Sequence, residues 1–224
     1  MLNKLQEKFL NFFSKKAIAK DFYWAGGTLL AEYYLQHRIS YDLDFFASKI
    51  VDYDQLISLI KQFADLHNIK TIQRERIYDR RIFVLEKNKD ILKIEFAQYE
   101  FPLLKPIKKW PERNLFITSL EDIVVSKIMA IFDRNEPKDI VDLYYILKKS
   151  KYNLDQILKW VKKKFSMEIE KLVLFQEINR GITNLDKVRP LLLLPVAKQE
   201  AEIQKMKHYF EALTNQYLKT KIEI

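Results

Sequence analysis

Cysteine is absent from the 224-residue chain. That excludes a disulfide framework, thiolate zinc sites and cysteine nucleophiles, and it suits a reducing compartment. Glycine and proline are scarce, at 3 and 6 residues, which argues against disorder and against a glycine-rich all-β architecture. No apolar run approaches the roughly 20 residues needed to span a bilayer. The opening stretch Met1–Lys20 has Lys or Glu interrupting each apolar stretch, so it lacks the apolar region of a signal peptide. A cytoplasmic protein without a membrane partner is expected. Histidine is also rare, at 3 residues; His67 and His208 have no His or carboxylate at metal spacing, and His37 reads as a surface residue.

What is present is core. The chain is 48% hydrophobic and rich in Phe and Tyr, enough for one large domain or two small ones. The net charge of +9 is compatible with nucleic acid, anionic lipid or nucleotide, although lysine is also the ordinary surface residue of a helical protein. Leu2, Leu5, Phe9 and Phe13 recur at helical spacing and predict an amphipathic first helix. Phe22–Ala25 reads as a buried strand, followed by the Gly26–Gly27 turn, a helix over Thr28–Gln36 and a second strand over Tyr41–Ala47. Leu56, Leu59, Ile60 and Phe63 predict a helix within Asp52–Asn68. Arg81–Lys87 and Ile91–Tyr99, joined by a polar turn at Asn88–Asp90, predict a hairpin. The proline-rich stretch Pro102–Arg113 marks a boundary. The expected organisation is an α+β domain over residues 1–105, with a mixed sheet and flanking helices, and a helical domain over 106–224. In the latter, helices are expected at 120–134 and 138–149, then at Leu154–Phe165, Glu168–Arg180 (stopped by Gly181) and Ala197–Leu218.

Two of the few glycines stand side by side. A strand ending in Gly-Gly and turning into a helix aims free backbone N–H groups at one point, which attracts phosphate, and glycine permits close approach. Thr28 would cap the helix or bond a phosphate oxygen. In the following strand, Asp42 and Asp44 project from one face while Leu43 and Phe45 face the core. Adjacent carboxylates repel unless a cation neutralises them; a hard divalent ion, Mg²⁺ or Mn²⁺, suits oxygen ligands. Glu95 adds a third carboxylate from a neighbouring strand, the set used in two-metal phosphoryl transfer, unless Lys93 and Glu95 are simply the solvent side of that strand.

In the second half, Lys127 falls on the apolar stripe of Leu120, Ile123, Val124 and Ile131, and Arg134 ends it. A cation on an inward face wants an anion, phosphate or carboxylate; a lysine snorkelling to solvent is the bland alternative. Asp139 and Asp142 share a face of the next helix. They would pair with Lys127 or Arg134, bind metal or an attacking hydroxyl, or merely complement the helix dipole. Arg38 and Ser40 precede the aspartate strand, Arg38 as a partner of carboxylate or phosphate. Lysine clusters at Lys105–Lys109, Lys148–Lys151 and Lys162–Lys164 form either an RNA-facing patch or solvated helix faces.

The run "GGTLLAEYYLQHRISYDLDFF" resembles the nucleotidyltransferase pattern of a glycine turn, a helix and Asp-x-Asp on a strand. More narrowly, GGT followed by "HRxSxDLDFF", with "LEDIVVSKIMAIFDRNEPKDIVDLYYIL" later, resembles the AbiEii/MenT-type nucleotidyltransferases, toxins of type IV toxin–antitoxin and phage-defence systems. The resemblance covers about residues 22–147. It implies transfer of NMP from an NTP to an acceptor hydroxyl, the 3′ end of a tRNA being favoured, with a divalent metal and an antitoxin partner. It implies nucleotide contacts from Gly26, Gly27, Thr28, Arg38, Ser40, Lys127 and Arg134, metal binding by Asp42 and Asp44, and a needed aspartate at Asp139 or Asp142. A non-catalytic nucleotide-binding module and a small-molecule nucleotidyltransferase are the rival readings.

Overall fold

The computed structural model describes residues 2–49, 52–88 and 90–222. The chain divides into two compact units, Met1–Leu120 and Glu121–Ile224.

The first unit opens with α1 (Lys4–Phe13). Asn3 caps it by accepting from the amides of Leu5 and Gln6, while Gln6 Oε1 accepts from the Asn3 amide at 2.8 Å, a reciprocal box that satisfies otherwise orphaned donors. The same Gln6 donates through Nε2 to the carbonyls of Ser40 and Tyr41, at 3.1 and 2.9 Å. The first helix thus fixes the backbone that leads into the aspartate strand. A seven-stranded mixed sheet follows, in the order β3-β4-β5-β2-β1-β7-β6. Its strands are β1 (Tyr23–Ala25), β2 (Asp42–Ala47), β3 (Thr71–Ile77), β4 (Arg80–Lys87), β5 (Asp90–Gln98), β6 (Lys108–Trp110) and β7 (Leu115–Ile117). β2 lies between β1, antiparallel, and β5, parallel. Alternation sends Leu43, Phe45 and Ala47 into the core and leaves Asp42, Asp44 and Phe46 half-buried on the other face. Phe45 packs among Phe9, Phe13 and Phe96, and Phe63 of α3 (Tyr53–Leu66) meets Phe9 edge-on at 5.1 Å. These rings are almost wholly buried, and such pairs add about 0.5–1.5 kcal/mol each beyond area burial.

Several expectations change. The helical segment after β1 starts at Gly26, not Thr28. It comprises α2 (Gly26–Leu29) and a π-helical continuation over Leu30–Leu35, closed by Gln36 in the left-handed region at φ 51°. β3 was not anticipated, because its alternating Arg and Glu leave only Ile72 and Ile77 as apolar signals. β6 and β7 extend the sheet past residue 105, so the first unit runs to Leu120. His37 is buried, at 3% exposure, rather than on the surface. The β4–β5 hairpin forms with Lys87 opposite Asp90; Lys89, in its expected turn, lies outside the described residues.

The second unit is helical: α4 (Leu120–Asp133), α5 (Pro137–Lys149), α6 (Leu154–Phe165), α7 (Lys171–Ile182) and α8 (Val196–Ile222), with a 3-10 segment at Leu185–Leu191. Gly181 does not stop α7. It lies in its last turn, where a Cβ would stand 2.6 Å from Asn135 Oδ1 and 2.7 Å from Ile140 Cγ1. The residue is small because α5 and the loop before it press against that turn. Lys164 leaves the expected surface cluster Lys162–Lys164: it is buried and paired with Asp122 at 2.5 Å. Among the described residues, no helix is long and apolar enough to cross a membrane.

Candidate active site

In the first unit the glycine turn and the aspartates meet. Ala25 is opposite Asp44 across β1–β2, and Asp44 is opposite Glu95 across β2–β5. Gly26 has φ +74°, a backbone conformation open to glycine, and a Cβ built there would lie 1.9 Å from Asp44 Oδ2. The Asp44 carboxylate therefore occupies the space that any other side chain at position 26 would fill. Close approach of a carboxylate to backbone is what the glycine supplies. Thr28, almost fully buried, donates its hydroxyl to the Asp42 carbonyl. It neither caps the helix nor presents that proton outward; it ties the turn to β2.

Asp42 and Asp44 share one face, one pleat apart, with Lys93 Nζ 3.6 Å from Asp42 Oδ2. Glu95 shares the face by register but is engaged: Arg80 Nε and Nη2 donate to its two oxygens at 2.5 and 2.6 Å. Among the described residues no group of three His, Cys, Asp or Glu side chains is arranged to hold a metal ion. The donor set still suits a hard cation at Asp42 and Asp44, since paired carboxylate oxygens prefer Mg²⁺ or Mn²⁺ to softer metals. Glu95 joins such a set only when Arg80 lets it go. Sequence reasoning missed Arg80; its signal is the Arg80–Arg81 doublet, one member of which must fall on the carboxylate face. Arg38 is buried and donates Nη1 to the Ile39 carbonyl at 2.9 Å. Ser40 contributes its carbonyl to Gln6.

In the second unit Lys127, Arg134, Asp139 and Asp142 form one cluster. Lys127 Nζ lies 2.8 Å from Asp139 Oδ1 and 2.8 Å from Asp142 Oδ2. Arg134 donates through Nε to Asp139 Oδ2 at 2.9 Å and through Nη2 to Oδ1 at 3.1 Å. Both aspartates have 0% exposure and Lys127 has 7%. Burial alone would raise the Asp139 pKa, but the charges and hydrogen bonds of Lys127 and Arg134 prevail and hold it below the usual carboxylate value. Asp139 contacts both cations, and Asp142 contacts Lys127.

A mixed sheet with a glycine turn seated against a carboxylate strand, followed by a helical unit, is a nucleotidyltransferase-type architecture. Two Helicobacter pylori structures have this fold. The JHP933 protein aligns over 100% of this chain and 99% of its own, with a TM-score of 0.56 and 17% identity. A candidate nucleotidyltransferase aligns over 96% and 95%, with a TM-score of 0.54 and 18% identity. An uncharacterized protein of Aquifex aeolicus (strain VF5) is 34% identical over 186 residues, 81% of this chain and 86% of that one. Residues 8–219 match the family model of the nucleotidyl transferase AbiEii toxin, type IV toxin–antitoxin system. The chain belongs to the AbiEii nucleotidyltransferase toxin family.

Proposed function

We propose that the protein transfers NMP from an NTP to an acceptor hydroxyl, with RNA, and in particular a tRNA 3′ end, as the acceptor. The observation that carries this reading is the fit of Asp44 into the Cβ position of Gly26 while Asp42 shares its face. That fit brings a backbone suited to phosphate beside a pair of hard-oxygen donors. Asp42 and Asp44 would hold a divalent ion, which when bound supplies charge neutralisation for the attacking and leaving oxygens. The amides of Gly26, Gly27 and Thr28 would orient the triphosphate. In the reaction a bond forms between the acceptor oxygen and the α-phosphorus and the bond to the β-phosphate oxygen breaks, releasing pyrophosphate. Glu95, once off Arg80, is our candidate to take the hydroxyl proton. Arg38 and Ser40 set the approach to β2 and so the position of Asp42. We assign Lys127, Arg134, Asp139 and Asp142 to a cluster whose integrity activity requires. An antitoxin protein is the expected partner, from membership of a type IV toxin–antitoxin family, and phage defence is the setting we propose.

The test uses purified protein, Mg²⁺, total tRNA and each NTP labelled at the α-phosphate, beside an Asp42→Asn/Asp44→Asn control. Label should move to tRNA only with both aspartates intact. Label on another molecule keeps the site and replaces the acceptor. One observation favours the rival, a nucleotide-binding module without chemistry: Arg80 holds the third carboxylate. Binding of NTP with no transfer to any acceptor would select that rival.

A further inference from the structure

We infer that the β3–β4 hairpin is the surface that receives the phosphodiester backbone of a single-stranded RNA acceptor. The inference deepens the transferase reading and rests on it for the acceptor's role. β3 is an edge strand of the sheet and, among the described residues, pairs only with β4. Arg74 and Arg76 stand two residues apart on it, so they share a face, and both are exposed. Arg76 is directly opposite Arg81 in the register, on the face of the sheet away from Asp42, Asp44 and Glu95, so an acceptor strand seated here reaches those carboxylates by passing over the β3 edge. Like charges placed opposite each other destabilise a strand pair, and among the described residues none of these three arginines makes an ion pair with a carboxylate. Glu75 alternates to the other face of β3.

Arg81 adds a second observation. It is buried to 9% exposure, with its guanidinium 5.5 Å over the Tyr53 ring. Its Nη1 donates to the carbonyls of Tyr78 and Arg80, at 2.6 and 3.2 Å, and its Nε has no hydrogen-bond partner. The buried guanidinium braces the turn and leaves unspent positive charge beneath Arg76. At the tip, Tyr78 is 90% exposed and sits at φ 49°, a left-handed conformation that bulky residues rarely adopt. An exposed aromatic ring at a strand turn is what stacks on an unpaired base.

Protection of a bare sheet edge explains charge on β3, but not two arginines set face to face without an ion pair to a carboxylate among the described residues. An anion between them does. The separation of Arg74 and Arg76, about 7 Å along a strand, is on the order of the step between successive phosphates of an extended chain. Arginine's planar fork favours phosphate oxygens, and the stacked base beside them selects a single strand over a duplex.

The experiment follows the anisotropy of a fluorescein-labelled single-stranded oligoribonucleotide against the full chain, from about 50 to about 200 mM salt. In Arg74→Gln/Arg76→Gln the affinity should fall at least about fivefold at low salt. The slope of log K against log salt should flatten by about 1.4, two contacts at about 0.7 each. Tyr78→Ala should weaken binding by about fivefold or more, the loss of one stacked base, without changing the slope. Binding of labelled ATP should be the same in all three proteins. All three residues are exposed, so the variants should fold, the arginine variant melting at or above the wild type because it loses a like-charge pair, and a circular dichroism melt checks it. Unchanged RNA affinity and slope in the arginine variant would overturn the inference, as would wild-type protein that binds no RNA while transferring NMP elsewhere. Asp42→Asn/Asp44→Asn separates the two readings: it should bind RNA with the wild-type slope and transfer nothing. If the wild type transfers nothing either, yet the arginine variant still loses RNA, the surface stands and the transferase reading falls.

Discussion

Lys127→Met removes one charge and keeps most of the side-chain volume in the polar cluster of the second unit. The Lys127 ammonium contacts Asp139 and Asp142 at 2.8 Å each, and both carboxylates are inaccessible to solvent. Deleting one partner of a buried ion pair costs about 3–5 kcal/mol, because the remaining charge has lost its compensation. Arg134 stays on Asp139, so a loss of about 3 kcal/mol is expected, a large share of the ~5–15 kcal/mol that holds a typical domain folded. Urea unfolding followed by circular dichroism at pH 7 reads it. The pH dependence gives a second, independent sign. Asp139 has a folded-state pKa below its ordinary 3.8. Its contribution is therefore fully present above that ordinary value and lost as pH falls through the depressed one. Without Lys127, burial is opposed by Arg134 alone, the carboxyl pKa moves upward, and protonation relieves the variant. The stability gap should narrow as pH is lowered from about 7 towards about 4. A loss under about 1 kcal/mol with no pH dependence, accompanied by loss of NTP binding, would refute this reasoning and make Lys127 a ligand-facing group.

Three further substitutions test the packing around the candidate site and the helical unit. Gly26→Ala should destabilise the protein by about 2 kcal/mol or more, from the left-handed backbone and the collision with Asp44, and should abolish transfer; retention of both in a thermal melt and a labelling assay would deny the close fit. Arg80→Ala uncovers Glu95 and should tighten Mn²⁺ binding several-fold by electron paramagnetic resonance titration, whereas unchanged affinity would count Glu95 out of the ligand set. Gly181→Ala gains up to about 1 kcal/mol in helix propensity but overpacks against Asn135 and Ile140 at about 1–3 kcal/mol. A lower urea midpoint is expected, and a higher one would mean that those neighbours yield.

The parts of the fold written in hydrophobic period were legible. α1, α3 and the β4–β5 hairpin announce themselves through phenylalanine and leucine spacing, and the alternation Asp42-Leu43-Asp44-Phe45 correctly assigns faces in β2. β3 was illegible because an edge strand with both faces largely wet carries no apolar alternation, only charges. β6 and β7 are three residues each and lie among prolines and lysines, below the length at which a pattern exists. At the candidate site, residue types and spacing brought out the carboxylates and the inward cation, but partners are a matter of register. That Thr28 bonds the Asp42 carbonyl, that Arg80 covers Glu95, and that Asp139 takes both cations depends on which strand or helix lies alongside. Gly181 shows the same limit: a glycine near a helix end reads as a stop until the neighbouring helix is seen to press on it.

The parallel pairing of β2 with β5 bears on how the protein comes into being. Asp44 meets Ala25 across a short connection, but it meets Glu95 only after α3 and the β3–β4 hairpin have been made and set aside. Contacts that close long loops form slowly relative to local ones. A chain synthesised only as far as β2 holds Asp42 and Asp44 but not yet Glu95, the third carboxylate of that face. The complete face exists only in chains that have finished and docked β5, so its assembly waits on the most distant pairing that β2 makes in the sheet.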